Sequence, residues 1–255
     1  MRHLIPKMEK LTDSAVKSWF DLESVVGHYT TAAINIGLWQ SEEIVLQRVF
    51  GPGETILEVG CGTGRISLGL WELGYRGLLG TDFSRDMITK ARELGRKLEY
   101  SVPFRVADAT RLPFEDGIFD GVIFGFNGLM QIPGRPNRRT ALAEMNRVVG
   151  AGGKAVLTTH DRATGGHQRF WTEEQSRWQG GEQDRRLIEF GDRIVESDHG
   201  PVYIHIPSRD EVRDDLESAG WNVVEDAMRS EICAETAAVE AFAVDCRFWV
   251  VEKPA

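Results

Sequence analysis

The chain has 255 residues, 42% of them hydrophobic and 27% charged, which suits one large α/β domain with insertions or two small ones. Its formal net charge of −9 disfavours a nucleic-acid partner, because that affinity comes from Lys and Arg on phosphates. No apolar run is long enough to span a bilayer, and Met1 to Lys10 carry charges without an apolar signal core, so no membrane role and a cytoplasmic location are expected.

Residues 7–50 read as helical. Val16, Trp19, Phe20, Leu22 and Val26 give one helical stripe, and Ile44, Val45, Val49 and Phe50 give another. Gly51-Pro52-Gly53 breaks the pattern. Thr55 to Val59 reads as a buried strand, Gly60-Cys61-Gly62-Thr63-Gly64 as a tight turn, and Arg65 to Leu73 as a helix. Glycines in such a turn permit positive φ or close approach of a ligand to bare backbone. The helix start beyond them offers unpaired N–H groups and a positive dipole end to an anionic group such as a carboxylate. Leu78 to Thr81 is a second strand ending at Asp82, and Ser84 caps a helix over Asp86 to Leu98. Pro103 to Ala107 is a third strand ending at Asp108, and Ile118 to Phe124 is a fourth. A helix over Pro136 to Val149 stops at Gly150, Gly152 and Gly153, and Lys154 to Thr159 is a fifth strand. This alternation predicts a parallel sheet built from right-handed βαβ units.

The rhythm then changes. Asp161 to Gly181 is polar and aromatic, with Trp171 and Trp178 on one helix face, where core packing is the expected role. Arg193 to Glu196 and Val202 to Ile206 flank a hairpin turn at Asp198-His199-Gly200. A helix over Asp210 to Ala219, strands at Val223-Val224 and Phe248 to Val251, and a helical stretch over Ala234 to Val244 complete the chain. Arg135, Arg138 and Arg139 read as a solvated helix start. Cys61, Cys233 and Cys246 form no metal-type cluster and read as small buried thiols in a reducing compartment.

The glycine turn fails the dinucleotide fingerprint, since its third position is Arg65 or Ser67, and it lacks the Lys of a phosphate-binding loop. With Asp82 and Asp108 at the next two strand ends, it resembles the class I S-adenosylmethionine-dependent methyltransferases over residues 50–160. Asp82-Phe83-Ser84-x-x-Met87, Asp108-Ala109 and Leu112-Pro113-Phe114 carry the resemblance. So do Glu144, Arg147-Val148-Val149 and Gly152-Gly153, with Ala151 where the family has proline. The resemblance implies an α/β fold: a Rossmann-like mixed sheet of seven strands with a reversed last strand and helices on both faces. Residues 1–50 would be a helical cover, 51–160 the core, 161–206 an inserted substrate cap and 207–255 the completion of the sheet.

The implied cofactor is S-adenosyl-L-methionine. By the same resemblance, Gly60, Gly62 and Gly64 would lay bare backbone against it, and Asp82 would accept its ribose hydroxyls. Phe83 and Met87 would pack on the adenine, Asp108 would meet the adenine amino group and the Ala109 N–H a ring nitrogen. Glu58 would reach the methionine ammonium through water, and Tyr29 would cover the cofactor. The methyl acceptor should lie beyond the fourth and fifth strand ends. There Asn127 is the candidate for positioning a nitrogen or oxygen acceptor, and His160 the candidate base or hydrogen-bond partner. His205, on the hairpin, is a lesser candidate. No metal constellation is evident. The expected activity is methyl transfer to nitrogen or oxygen of a small-molecule acceptor, nitrogen ahead of oxygen. The alternatives are an RNA or protein methyltransferase and a cofactor sensor without catalysis; the missing third glycine argues against a nicotinamide oxidoreductase.

Overall fold

The computed structural model describes residues 10–164 and 166–255. The readings that fall on residues 1–9, the missing signal core and the first residues of the helical segment, lie outside them. Three helices come first: α1 (Asp13–Phe20), α2 (Glu23–Asn35) and α3 (Gln40–Val49). The Thr12 side chain caps α1 by accepting from the Ala15 N–H. The alternating region then gives β1 (Ile56–Val59), α4 (Arg65–Glu72), β2 (Leu78–Asp82), α5 (Arg85–Lys97), β3 (Phe104–Val106), β4 (Phe119–Phe124), α6 (Arg135–Val148) and β5 (Val149–Thr159). Next come α7 (Gln168–Gly180), the hairpin β6 (Asp192–Ser197) and β7 (Gly200–His205), and α8 (Arg209–Ser218). The chain closes with β8 (Asn222–Met228), α9 (Arg229–Ile232), α10 (Ala237–Phe242) and β9 (Arg247–Glu252).

The main sheet has seven strands in the order β3-β2-β1-β4-β5-β9-β8. β1 to β5 pair in parallel, and β9 runs antiparallel to both β5 and β8, so the reversed last strand is present. Successive strand residues go to opposite faces. Ile56, Ile123, Val156 and Val250 join one buried layer with residues of α3, α4 and α5. Leu57, Val122, Ala155 and Trp249 join the other with residues of α6 and α8. Burial on both faces is why these strands read as unbroken apolar runs.

The β6–β7 hairpin forms its own two-stranded sheet. Its Tyr203 packs with Val16 and Phe20 of α1, Val25 and Val26 of α2, and Met87 of α5. The hairpin therefore backs the N-terminal helices where they overhang β2. Among the described residues no helix is long and apolar enough to cross a membrane.

Three details differ from the sequence reading. β5 begins at Val149, paired to Phe119 across a register shift, so the glycines that were expected to stop a helix form an irregular strand start. Gly153 is required there, because a Cβ would fall 2.7 Å from the Asp120 carbonyl oxygen. The helical stretch over Ala234 to Val244 narrows to α10, and a further short helix that was not expected, α9, precedes it. The arginine cluster is a tied seam rather than a solvated helix start: Arg135 and Arg139 both pair with Asp214 and Asp215 of α8, and Arg138, 1% exposed, pairs with Glu189. Trp171 and Trp178 meet Phe190 edge-on at 5.8 and 6.3 Å, in keeping with packing.

Candidate cofactor site and acceptor cavity

Gly60, Gly62 and Gly64 all take positive φ, at 64°, 54° and 89°. They serve different ends. A Cβ on Gly60 would lie 2.7 Å from the Phe124 ring, and one on Gly64 would lie 2.8 Å from the Phe104 ring. A Cβ on Gly62 would meet no protein atom within 4 Å. Gly62 therefore leaves a bare, open stretch of backbone, while Gly64 is turned into the core as the residue before α4. Gly64 is not on the cavity wall, and the Phe104 ring of β3 packs against it.

One cavity runs along the carboxyl ends of the parallel strands. Tyr29, Glu58, Gly60, Gly62, Asp82, Phe83, Met87, Asp108 and Ala109 all line it. Because the sheet order is β3-β2-β1-β4, position along the cavity follows strand exits: Asp108 past β3, Asp82 at the end of β2, the glycine turn at β1, and Phe124 to Phe126 at β4.

Asp82 is 7% exposed. Its Oδ2 accepts the Gly62 N–H and its Oδ1 accepts the Ser84 N–H, both at 2.9 Å. Burial raises its pKa to about 6, against the lowering effect of those N–H donors. Each carboxylate oxygen keeps a further lone pair for a ligand hydroxyl. Asp108 uses Oδ1 for the Thr110 N–H and hydroxyl, at 2.8 and 2.7 Å, which orients its other oxygen without consuming it. Glu58 is buried under the turn, and its Oε2 accepts from the Ser67 N–H at 2.9 Å and from the Ser67 hydroxyl. Burial pushes its pKa up to about 7.

The cover is fastened to the turn at several points. The Thr63 hydroxyl donates to the Tyr29 carbonyl at 3.0 Å, and the Ser84 hydroxyl to Asp21 at 2.6 Å. Arg65 donates to both oxygens of Glu42 at 2.6 Å and to the Gly37 carbonyl at 2.9 Å. Its guanidinium also lies over the Trp39 and Phe126 rings, at 4.7 and 5.6 Å. Arg65 thereby joins the turn, the α2–α3 link and the β4 exit.

At the β4 exit, Phe126 and Asn127 both have positive φ, at 44° and 61°. Two adjacent non-glycine residues in that region are strained, a feature that concentrates at ligand sites. The turn brings Phe126 and Gly128 to the cavity wall and leaves Asn127 off it. The Asn127 N–H donates to the Thr158 hydroxyl at 3.1 Å, and its buried Oδ1 has no partner among the described residues. His160 does not line the cavity either. It is held near Asp245 and Arg229, and burial lowers its pKa. Asn127 and His160 thus stand at the expected strand ends but behind the wall. His205 is farther off: both ring nitrogens are occupied by carboxylates, Asp192 at 2.8 Å and Glu211 at 2.7 Å. Glu189, Asp192 and His205 come close enough together to surround a metal ion, a grouping the sequence did not reveal. Arg138 on Glu189 already supplies a cation there.

Sequence reasoning missed several wall residues: Asp13, Phe124, Phe126, Gln131 and Phe242. Only Phe126 carried a signal, its place between Gly125 and the Asn127-Gly128 pair.

A family model described as a methyltransferase domain matches residues 56–153. Residues 56–153 are thus similar to a methyltransferase domain, and the remainder of the chain falls outside that match. Demethylmenaquinone methyltransferase of Oceanobacillus iheyensis is 42% identical over 115 residues, covering 44% of this chain and 47% of that one. The enzyme of the same name from Alkalihalophilus pseudofirmus is 31% identical over 161 residues, or 62% of this chain and 64% of that one. The chain spans about half the length of the first of these curated relatives. Among solved structures, a methyltransferase of Methanosarcina mazei has a TM-score of 0.67 at 18% identity, covering 82% of this chain and 97% of that one. The [4+2]-cyclase SpnF also has a TM-score of 0.67 at 18% identity, covering 97% and 98%. These two establish the fold, and the pairing of a methyltransferase with a cyclase shows that the fold alone does not fix the reaction.

The methyltransferase cofactor, S-adenosyl-L-methionine, fits the residues present. Gly62 leaves open space where any side chain would intrude, and two strand-end carboxylates keep oxygens available.

Proposed function

We propose that this protein transfers a methyl group from S-adenosyl-L-methionine to nitrogen or oxygen of a small-molecule acceptor. The observation that carries the reading is the line of Asp108, Asp82 and bare Gly62 along one cavity, which continues into an aromatic chamber at the β4 exit. When bound, the cofactor supplies an electrophilic methyl group on a sulfonium. Asp82 holds the ribose hydroxyls and Asp108 the adenine amino group, Phe83 and Met87 pack on the ring, and the Gly60–Gly62 backbone meets the amino-acid portion. Glu58 shapes that end through Ser67. Tyr29 closes over it. Displacement at a sulfonium is in-line, so the residues act mainly by alignment and exclusion of water. Asn127 contributes as the strained residue that positions Phe126, and His160 as a neutral group behind the β5 end.

A small acceptor is supported by the concave, largely apolar-lined cavity and by the names of the curated relatives. Arg135, Arg138 and Arg139, a basic cluster that could meet an anion, are instead paired with α8 carboxylates and Glu189. The test is a labelled-methyl transfer screen over metabolite pools, with Asp82→Ala as control. Label should enter a small molecule with the wild-type protein and not with the variant. Cofactor binding without label transfer to any pool would replace the enzyme reading with a sensor.

A further inference from the structure

A column of four stacked rings runs from the cavity wall to the surface. Phe126 stacks on Phe242 with ring centroids 5.1 Å apart and planes 19° apart. Phe242 stacks on His28 at 5.3 Å and 23°, and His28 on His199 at 4.4 Å and 30°. Each ring comes from a different place in the fold: the β4 exit, α10, α2 and the tip of the β6–β7 hairpin. Phe126 and Phe242 line the cavity, and Tyr29, also on its wall, meets His28 edge-on at 5.7 Å. The column therefore ties pieces of the cavity wall to a surface hairpin.

Its outer joint is the weak one. The hairpin base is anchored by the buried Tyr203 and by His205 between two carboxylates. The tip rests on α2 through the His199–His28 stack, the Ser24 hydroxyl donating to the His199 carbonyl at 2.6 Å, and Gly200 set close beside Leu22. Ser24 and His28, four residues apart, present one face of α2 to it. His28 is half-buried and His199 is exposed.

This joint holds two imidazoles face to face with no counter-charge. His205 is the only histidine in an ion pair among the described residues. The hairpin sets His199 against His28, α10 sets the uncharged Phe242 there, and α2 itself adds the Tyr29 ring. Asp198, next to His199 in the turn, is hydrogen-bonded to neither ring. Burial and His199 both lower the His28 pKa. A base lowered in the folded state stabilises fully above its ordinary value and loses that contribution as pH falls toward the lowered one. One charged ring is tolerated beside aromatic faces. Two unit charges about 4 Å apart repel even in water, by about a factor of five in an equilibrium.

We propose that the His28–His199 stack is a protonation-controlled clasp on the cover: when both rings are charged the hairpin tip lifts from α2, and the cavity walls carried by α2 and α10 loosen. The clasp does not depend on which ligand the cavity holds. The hairpin base stays shut under the same conditions, because His205 is raised and Glu211 is held down at about 2, so their pair survives mild acid.

Hydrogen exchange of the whole unliganded chain at pH 7 and pH 5, corrected for the intrinsic pH dependence of exchange, tests this, since protection reports the open population. Protection over residues 23–35, 196–201 and 237–242 should fall by about fivefold or more at pH 5, while β1, β4 and β5 stay unchanged. Asp82 and Glu58 titrate in the same window, so the decisive variants keep a stacked ring and remove its charge. His199→Phe and, separately, His28→Phe should hold the pH 7 protection at pH 5. His199→Ala, which removes the stack, should lose protection over the tip and α2 at both pH values. Equal wild-type protection at the two pH values overturns the clasp. So does a loss at pH 5 that persists in both Phe variants, which would assign it to the buried carboxylates beneath the cover.

Discussion

His205 and Asp192 meet with Nδ1 2.8 Å from the carboxylate, both side chains being 0% exposed. Glu211 takes the other nitrogen at 2.7 Å. A neutral imidazole has one N–H and cannot donate to both, so the arrangement stores an imidazolium. The surrounding charges agree. Arg138 and Arg162 face Glu189 and Glu211, and the Tyr203 hydroxyl donates to Asp192 at 2.7 Å. The two carboxylates raise the His205 pKa despite its burial, while Glu211 is held down at about 2. A raised basic group stabilises fully below its unfolded value and loses that stabilisation as pH rises through its folded value. The lowered acids stabilise above their unfolded values and lose it as pH falls through their folded ones. Urea unfolding at several pH values should give His205→Gln a deficit of about 3 kcal/mol near pH 6, the scale of a broken buried pair. That deficit should shrink as pH rises through the raised value. A deficit unchanged from pH 5 to 9 would show that the stored charge is not the stabilising feature.

This latch also marks where sequence reading stops. The hairpin was legible from its turn residues, and its histidine was therefore a lesser candidate for the acceptor side. The residues that claim His205 come from β6 and α8, and no local pattern joins them. The same holds for Gly64: the glycine turn is a local signal, but the ring that turns Gly64 toward the core arrives on β3. Asp82 and Asp108 were readable because a strand-end acid has a fixed place relative to the sheet. Phe242 and Gln131 were not, since α10 and the turn after β4 reach the cavity only through tertiary packing. His160 shows the limit of the strand-end rule, for β5 ends where the rule says and the ring is drawn toward Asp245 instead.

The Arg65–Glu42 pair should couple cover and turn. Both side chains are nearly fully buried, at 9% and 2% exposure. Glu42→Gln leaves a buried guanidinium without its bidentate partner and should cost about 3–5 kcal/mol. Arg65→Lys is no conservative change here, because an ammonium cannot reproduce the planar fork or the stacking on Trp39. Thermal unfolding should place both variants well below wild type, and limited proteolysis should cut first between α2 and α3. Wild-type resistance in both variants would mean that the cover is held by its apolar contacts alone.

Gly62 and Gly60 should separate binding from folding. Gly62→Ala puts a methyl into open space, so its folding cost is only that of an L residue at positive φ, about 1–2 kcal/mol. The same methyl occupies the surface assigned to the cofactor, and affinity should fall by more than about tenfold, the loss expected when bound atoms are displaced from close contact. Gly60→Ala adds a collision with Phe124 at 2.7 Å to the same backbone strain. Overpacking of that kind costs about 1–3 kcal/mol more. Parallel denaturation and cofactor titration give the comparison. Gly62→Ala binding as well as wild type would remove Gly62 from the contact surface.

Cofactor affinity should depend on pH through Asp82. Burial raises its pKa to about 6, so near pH 7 the carboxylate is mostly ionised and, in its proposed role, would accept from ribose hydroxyls with both oxygens. Below that value the ligand must bind a protonated acid or pay to ionise it, and affinity should fall toward a limit of about tenfold per pH unit. Ligand hydroxyls favour the charged form, so binding near pH 6 should release a proton, visible as a buffer-dependent heat. Glu58 is the other group that titrates nearby, at about 7, and would blur the profile. Glu58→Gln should keep the fall below pH 6, whereas Asp82→Ala should bind weakly at every pH with no such slope. A profile that stays flat in wild type from pH 5 to 8 would mean that Asp82 spends its charge on the Gly62 and Ser84 N–H groups alone and offers none to the ligand.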